Sequence, residues 1–369
     1  MKKLAVLGAS YLQLPLIKKA KEMGVETHCF AWGEGAVCKE YADYFYPISV
    51  LDKEEIFESC KKIGIDGIVT AATDISVPTV CFIANKLELV GNTVASAFIS
   101  TNKYAMRQAF EANNVNSPKF REIQGVKELT DNYFYPIIVK PVDRSGSRGV
   151  AKVNSFAELS EAVSEAISES ITNTAIIEDY IEGTEVSVES ISWQGKHYIL
   201  AITDKVTTEA PHFVELAHHQ PSKLSEAIQL KIKSETHEAL DALDIKFGAG
   251  HSEFKITASG DVFAIEVGAR MGGDFIGSHL VELSTGYDFL KAVINVALGH
   301  FEIPKQSLTQ SAGVYFLSKE TEKILEVFEK SNTFEVEKEI QNTNLVNISN
   351  SNDRSGYLIY RSSERIELL

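Results

Sequence analysis

The chain has 369 residues, of which 44% are hydrophobic and 24% charged, and its net charge is −15. At about 150 residues per domain this predicts two or three domains with real cores. The negative balance argues against a nucleic-acid backbone or an anionic membrane as partner, because both are held by an excess of Lys and Arg; a small anionic ligand needs only a local basic pocket.

The first apolar run, Leu4 to Leu7, follows two lysines and stops at Gly8. It is too short for a signal peptide or a membrane span, so it reads as a strand and the cytoplasm is the expected location. A helix is expected over Pro15 to Met23, a strand over Val25 to Phe30, a helix over Glu54 to Ile63, a strand over Asp66 to Thr70 and a helix over Val77 to Leu87. Strands alternating with helices predict a parallel sheet wrapped by crossovers. The cysteines Cys29, Cys38, Cys60 and Cys81 fall in this part and form no CxxC pair, which makes a disulfide framework or a zinc ribbon improbable.

The pattern then changes to α+β. Thr101 to Asn113 reads as a helix and Ile137 to Lys140 as a strand, with the loop Arg144-Ser145-Gly146-Ser147-Arg148-Gly149 returning into Val150 to Val153. Ser155 and Glu158 have capping-box spacing for a helix reaching Ile167. A strand over Ala175 to Glu178 follows. Gln194-Gly195 separates two strands as a hairpin, Val186 to Ile191 and His197 to Thr203. A long helix spans Leu224 to Leu243, and Ser259-Gly260 joins a second hairpin, His251 to Ile256 with Val262 to Val267. The last sixty or so residues read as a small third unit.

The second hairpin carries the sharpest chemical signal. If its turn is centred on Ser259-Gly260, residues whose numbers sum to 519 stand opposite, and Glu253 faces Glu266. Their Cβ atoms would then be about 5 Å apart, which is unfavourable for like charges unless a proton or a cation lies between them. A hard divalent cation fits, since Mg²⁺ takes one or two carboxylates together with substrate phosphates. A register slip of one residue would instead leave two solvated glutamates. Arg270 follows four residues after Glu266 and leads into Gly272-Gly273, a pattern suited to a carboxylate or phosphate, although a surface Arg beside a turn reads the same. Lys140 ends an apolar strand just before the Ser/Gly loop, where backbone amides can cradle phosphates and Lys adds a point charge. It is not a Walker A sequence, and an ordinary hairpin loop is as good a reading. Ile176 to Glu185 is an apolar strand ending in acids, an aromatic and a Gly turn, which could serve as a hinge against an adenine edge.

Together and in this order, these segments resemble the ATP-grasp family over about 300 residues. The resemblance implies an N-terminal Rossmann-like α/β pre-ATP-grasp domain at 1–98. An ATP-grasp domain of two α+β subdomains follows at 99–303, with a mobile lid at about 118–185, and a small C-terminal α+β domain at 304–369. It implies ATP contacts from Lys103, Lys140, Ser145, Gly146 and Ser147, an adenine hinge at Glu178, Tyr180 and Ile181, and a ribose contact at Glu185. Two Mg²⁺ ions, for which Mn²⁺ can substitute, would sit on Glu253 and Glu266. Arg270 would hold the reacting acyl-phosphate oxygens. Many members carry Asn two residues after the second metal Glu, where this chain has Gly268.

The Gly268-Ala269-Arg270 segment, His251-Ser252-Glu253-Phe254-Lys255, Thr203-Asp204-Lys205, Phe213-Val214-Glu215, His218-His219-Gln220 and the tail Asn350 to Tyr357 are most similar to the L-amino-acid ligase branch. Biotin carboxylase and carbamoyl-phosphate synthase subunits are more distant, and no Met-Lys-Met biotinylation segment is present. The branch implies an ADP-forming carboxylate–amine ligase acting through an acyl phosphate on small-molecule carboxylate and amine substrates, with Lys205 catalytic beside Arg270. Glu215, His218, His219, Gly272 and Gly273 would touch substrate, and a homodimer is an expected assembly. Bicarbonate activation keeps the fold and changes the substrate. From other classes, an ATP-binding module without ligation remains open. A Rossmann oxidoreductase is poor, because Ser10 and Gln13 stand where its later glycines belong.

Overall fold

The computed structural model describes residues 1–208 and 213–369. The N-terminal unit contains β1 (Lys3–Leu7), α1 (Leu14–Glu22), β2 (Glu26–Phe30), β3 (Tyr44–Tyr46), α2 (Lys53–Ile63), β4 (Gly67–Thr70) and α3 (Val77–Lys86). Its four strands pair in parallel in the order β3-β2-β1-β4. Leu4 to Leu7 are buried because helices cover both faces of such a sheet. The loop after β1 is filled from within: Gln13 accepts from the Ser10 N–H at 2.9 Å and donates to the Ala71 carbonyl at 2.6 Å. A dinucleotide would need that amide and that space, so this loop does not suit an oxidoreductase cofactor.

Next come α4 (Val94–Thr101), which the sequence reading did not anticipate, and α5 (Lys103–Ala112), which matches the helix expected over Thr101 to Asn113. Asn102 makes the break: its backbone is extended and its side chain caps α5 by accepting from the Ala105 N–H. That cap sets Lys103 at the first position of α5. A second four-stranded sheet combines β5 (Phe120–Ile123), β6 (Ile137–Pro141), β7 (Ala151–Val153) and β8 (Ala175–Asp179), covered by α6 (Phe156–Glu169), around its own apolar core. The expected capping box at α6 does not form. Glu158 accepts from the Asn154 N–H and from the Ser155 hydroxyl, so Ser155 caps no backbone group.

The central sheet has eight strands among the described residues, in the order β13-β12-β9-β10-β11-β14-β16-β15. They are β9 (Thr184–Trp193), β10 (Lys196–Thr207), β11 (Glu215–Gln220), β12 (Phe247–Ile256), β13 (Val262–Gly268), β14 (Ser311–Leu317), β15 (Glu335–Ile340) and β16 (Gly356–Ser362). Helices α7 (Glu226–Ala242), α8 (Val281–Thr285), α9 (Phe289–Ala297) and α10 (Leu325–Glu329) complete the fold. The C-terminal strands do not make the separate unit the sequence suggested. β14 pairs with β11, so one sheet carries the chain's end up to its middle. No helix of the described residues is long and apolar enough to cross a membrane.

Candidate active site

An open cleft lies between the second sheet and the central sheet. Its floor is the hairpin β12–β13, and Glu253 does stand opposite Glu266. The route to that register differs from the expected one. Near the turn the pairs sum to 518, as in Lys255 with Phe263; a bulge that skips Ile265 restores 519 at the glutamates. The Ile265 carbonyl freed by the bulge accepts from the buried Arg107 at 2.7 Å. Bulges of this kind re-aim side chains next to active sites.

The two carboxylates do not face each other bare. Lys205 Nζ lies 2.7 Å from Glu253 and Lys103 Nζ 3.0 Å from Glu266. Lys205 is a hub, also 2.6 Å from Glu185 and 3.5 Å from Glu215. Burial disfavours its charge, but Glu185, Glu253 and Glu215 outweigh that and hold it well above the ordinary lysine value. Burial likewise opposes the Glu253 charge, and Lys205 with His251 keeps it well below the usual carboxylate range. Lys205 is therefore a fixed cation, unsuited to act as a base.

On the opposite wall Lys140 Nζ is 2.8 Å from Glu178. Arg107 Nε approaches the other oxygen of Glu178 at 2.9 Å, out of line for a hydrogen bond. The Glu178 carboxylate is thus committed to these two cations. Burial lowers Lys140 below the ordinary lysine value despite Glu178. The loop Ser145–Ser147 closes the mouth, with Ser147 and Gly146 both at positive φ.

Arg270 is held from a distance of 196 positions in sequence: its Nε and Nη2 donate to Asp74 at 2.9 and 2.8 Å. Asp74 follows β4 in the N-terminal unit. Gly268 explains itself here, since a Cβ would come within 2.7 Å of the Asp74 carboxylate. The absence of a side chain at Gly268 leaves room for this ion pair.

Of the residues singled out by sequence, Lys103, Lys140, Ser145, Gly146, Ser147, Glu178, Tyr180, Ile181, Glu185, Lys205, Glu215, Glu253, Glu266 and Arg270 all line this cleft. His218 and Gly273 line an adjoining cavity that shares Lys205, Glu215, Glu253 and Arg270. His218 is buried and sits 3.6 Å from Asp274. Two assignments fail. Gly272 donates its N–H to Glu189 at 3.0 Å and a Cβ would come within 2.4 Å of that carboxylate, so it locks the scaffold and has no amide to offer a substrate. His219 points the other way along β11, because neighbouring strand residues face opposite sides; its ring packs on Tyr315 and bonds the Tyr360 hydroxyl at 2.8 Å.

Burial holds the His219 imidazole down to about 3. A histidine depressed in the folded state binds fewer protons there than when unfolded, so its contribution is fully present above the unfolded value near 6.5 and is lost as pH falls towards 3. At pH 5 this costs roughly 2 kcal/mol. His219→Gln should therefore show a shallower loss of melting temperature between pH 7 and 5 than the native chain, and an unchanged slope would refute the assignment.

Sequence reasoning missed Asp74, Arg107, Glu189, His251, Lys255 and Arg354. His251 bonds the buried Glu189 through Nδ1 and reaches Glu253 through Nε2 at 3.5 Å; Lys255 lies 3.2 Å from Glu185. Arg354 bridges Asp274 and Glu215 at 2.9 and 3.0 Å. Arg354 lies in the tail segment quoted above, which offered a signal; nothing near Asp74 or Arg107 in sequence did.

Six Lys and Arg side chains line the cleft and six Asp and Glu side chains balance them, in a chain of net charge −15. A nucleoside triphosphate would bring further negative charge, which a hard cation shared with the opposed glutamates would offset. Among the described residues no group of three or more His, Cys, Asp or Glu is arranged to hold a metal alone. An oxygen pair completed by phosphates is the arrangement that suits Mg²⁺.

A family model described as an ATP-grasp domain matches residues 133–278. Among curated proteins, the carbamoyl phosphate synthase large chain of Thermoanaerobacter pseudethanolicus is 26% identical over 260 residues, covering 69% of this chain and 24% of that one. The alanine–anticapsin ligase of Bacillus subtilis is 26% identical over 272 residues, covering 64% and 57%. The chain thus spans between a quarter and just over half of the length of these relatives. Among solved structures, the L-amino acid ligase from Bacillus licheniformis superposes with a TM-score of 0.83 at 23% identity, over 99% of this chain and 94% of that one. The phosphoribosylglycinamide synthetase from Anaerococcus prevotii gives 0.77 at 23% identity, over 98% and 94%. At these identities the likeness establishes the fold.

Proposed function

We infer that this chain, which carries an ATP-grasp domain and folds as an ATP-grasp protein throughout its described length, is an ADP-forming carboxylate–amine ligase. The observation that carries the reading is the opposed pair Glu253 and Glu266, set in one cleft with Lys103, Lys140, Lys205 and Arg270. Such a cleft serves positioning and charge stabilisation, which is what phosphoryl transfer asks of a protein.

In this reading Lys140 and the 145–147 loop hold the nucleotide phosphates, while the backbone of Tyr180 and Ile181 takes the adenine edge. Glu253 and Glu266 would hold Mg²⁺, which when bound supplies charge neutralisation on the phosphates. The substrate carboxylate attacks the γ-phosphorus, and ADP leaves. Arg270, its Nε and Nη2 fixed by Asp74 and one Nη1 hydrogen given to the Met271 carbonyl, offers its remaining N–H groups to the acyl-phosphate oxygens and then the tetrahedral oxyanion. The amine displaces phosphate. Lys205 keeps three carboxylates from crowding out an anionic substrate. The second sheet, within about 118–185, is the lid that closes over the nucleotide.

The test is an ADP-release screen over amino acids, small carboxylates and bicarbonate, singly and in pairs, beside hydrogen exchange with an ATP analogue and Mg²⁺. Release dependent on one carboxylate and one amine, with slowed exchange in the 144–149 loop, is expected. Release with bicarbonate alone would move the chain to carboxylase-type chemistry. ATP binding without release for any pair would leave only a nucleotide-binding module.

A further inference from the structure

Beside the cavity that holds His218 lies another chamber, open to solvent, between the N-terminal unit and the C-terminal strands. Its apolar wall carries four aromatic rings, Tyr11, Phe275, Phe316 and Tyr357, beside Leu14, Pro15 and Val37. Phe275 and Tyr357 are in contact, with ring centroids 4.3 Å apart, and Tyr11 is half exposed towards the opening. Glu337 and Glu339 stand on the edge strand β15 at the rim; Glu337 accepts from the Tyr357 hydroxyl and lies 3.7 Å from His279, and the one lysine of the lining, Lys18, sits over the Tyr41 ring. The guanidinium of Arg354 also faces the chamber, lying over the Phe316 ring at 3.8 Å, but its charge is spent on Asp274 and Glu215.

The partition between the two cavities is strained. Asp274 and Phe275 are consecutive non-glycine residues at φ 48° and 65°. Left-handed backbone is rare for a bulky aromatic, and such strain collects at ligand sites. A π-helical turn, Ile276–Leu280, follows directly, another feature frequent at functional sites. The strained pair turns Asp274 onto the His218 cavity and Phe275 onto the aromatic chamber. Ser351 lines both. The chamber thus adjoins, at Ser351 and across the Asp274–Phe275 turn, the cavity that Arg270 and Glu253 also line.

We propose that this chamber is the side-chain pocket for an α-amino-acid substrate, and that it takes a large aromatic side chain in preference to a small or an anionic one. The proposal rests on the ligase reading for its reacting groups. A methyl side chain would leave the rings unfilled, and filling an apolar site with an aromatic group is worth at least a tenfold preference. The rim glutamates repel a side-chain carboxylate.

Calorimetry of the full chain, saturated with Mg²⁺ and an ATP analogue, should find phenylalanine bound at least tenfold tighter than alanine, and alanine tighter than glutamate. Gln341→Trp, which fills the chamber from the exposed end of β15, should weaken phenylalanine tenfold while leaving alanine and ATP within twofold. Glu339→Lys, a surface change on the same strand, should improve glutamate at least fivefold and leave alanine unchanged. Equal affinity for phenylalanine and alanine, no binding of phenylalanine, or a variant that shifts all three amino acids alike would overturn the proposal. Selective phenylalanine binding without ADP release in any pairing would sink the ligase reading and keep the chamber; release with alanine as efficient as with phenylalanine would do the reverse.

Discussion

Glu266→Gln is expected to lower ADP release at least a thousandfold while leaving the fold standing. The amide is nearly the same shape, and its oxygen can still accept from Lys103, which also keeps its 2.6 Å bond to the Arg144 carbonyl. The stability change should then be about 1–2 kcal/mol, the scale of a weakened charged hydrogen bond. Turnover loses far more. A carboxylate that holds a divalent cation against the phosphates stabilises developing charge by several kcal/mol, and about 4 kcal/mol is a thousandfold in rate. The pattern that identifies a metal ligand is a near-native melting curve without nucleotide, together with loss of the extra stabilisation that Mg·ATP gives the native chain. If the variant turned over within tenfold of the native rate, the metal would have to lie elsewhere, and the opposed pair would lose its assigned role.

Lys205→Met should do the opposite and strike the fold. The apolar substitute matches the length of the stem but leaves Glu185, Glu253 and Glu215 around an uncharged tip. Removing one member of a buried ion-pair cluster costs about 3–5 kcal/mol. The lower end is expected, because each carboxylate keeps one other cation: Lys255 at 3.2 Å from Glu185, Arg354 at 3.0 Å from Glu215 and His251 at 3.5 Å from Glu253. The deficit should depend on pH with a definite sign. Without Lys205 the crowded carboxylates take up a proton more readily when folded than when unfolded, so stability is retained at low pH and lost as pH rises through their raised values. Denaturant titrations at pH 5 and pH 8 should show the larger deficit at pH 8. A variant within 1 kcal/mol of the native chain at pH 8 would mean that Lys205 is solvated and not the hub of the cluster.

Both predictions begin from residues legible in the sequence, but for unequal reasons. The Glu253–Glu266 pairing followed from turn position and strand period, although two deviations had to cancel: a turn centred half a residue earlier and a bulge at Ile265. Lys205 was placed by resemblance alone, since nothing local reveals that three acids from three other strands will converge on it. His218 and His219 show the limit from the other side. Adjacent in sequence, they took the same expectation, and the strand's alternation sends one to a cavity and the other into the C-terminal core.

What the sequence by itself determined is what depends on near neighbours. The alternation of strand and helix in the first hundred residues, the two hairpins and the Ser/Gly loop after Lys140 are set by periodicity and turn chemistry within about a dozen residues. The tertiary structure decided what depends on distant segments meeting. It ran the C-terminal strands into the central sheet beside β11, where hydrogen-bond pairing at an open edge, invisible in a local pattern, made them part of one body. It also brought Asp74 from the N-terminal unit onto Arg270 and Arg354 from the tail onto Asp274 and Glu215. Buried guanidinium groups require a carboxylate for company, but which of the chain's 51 acidic residues answers is fixed only when the sheets and loops are assembled.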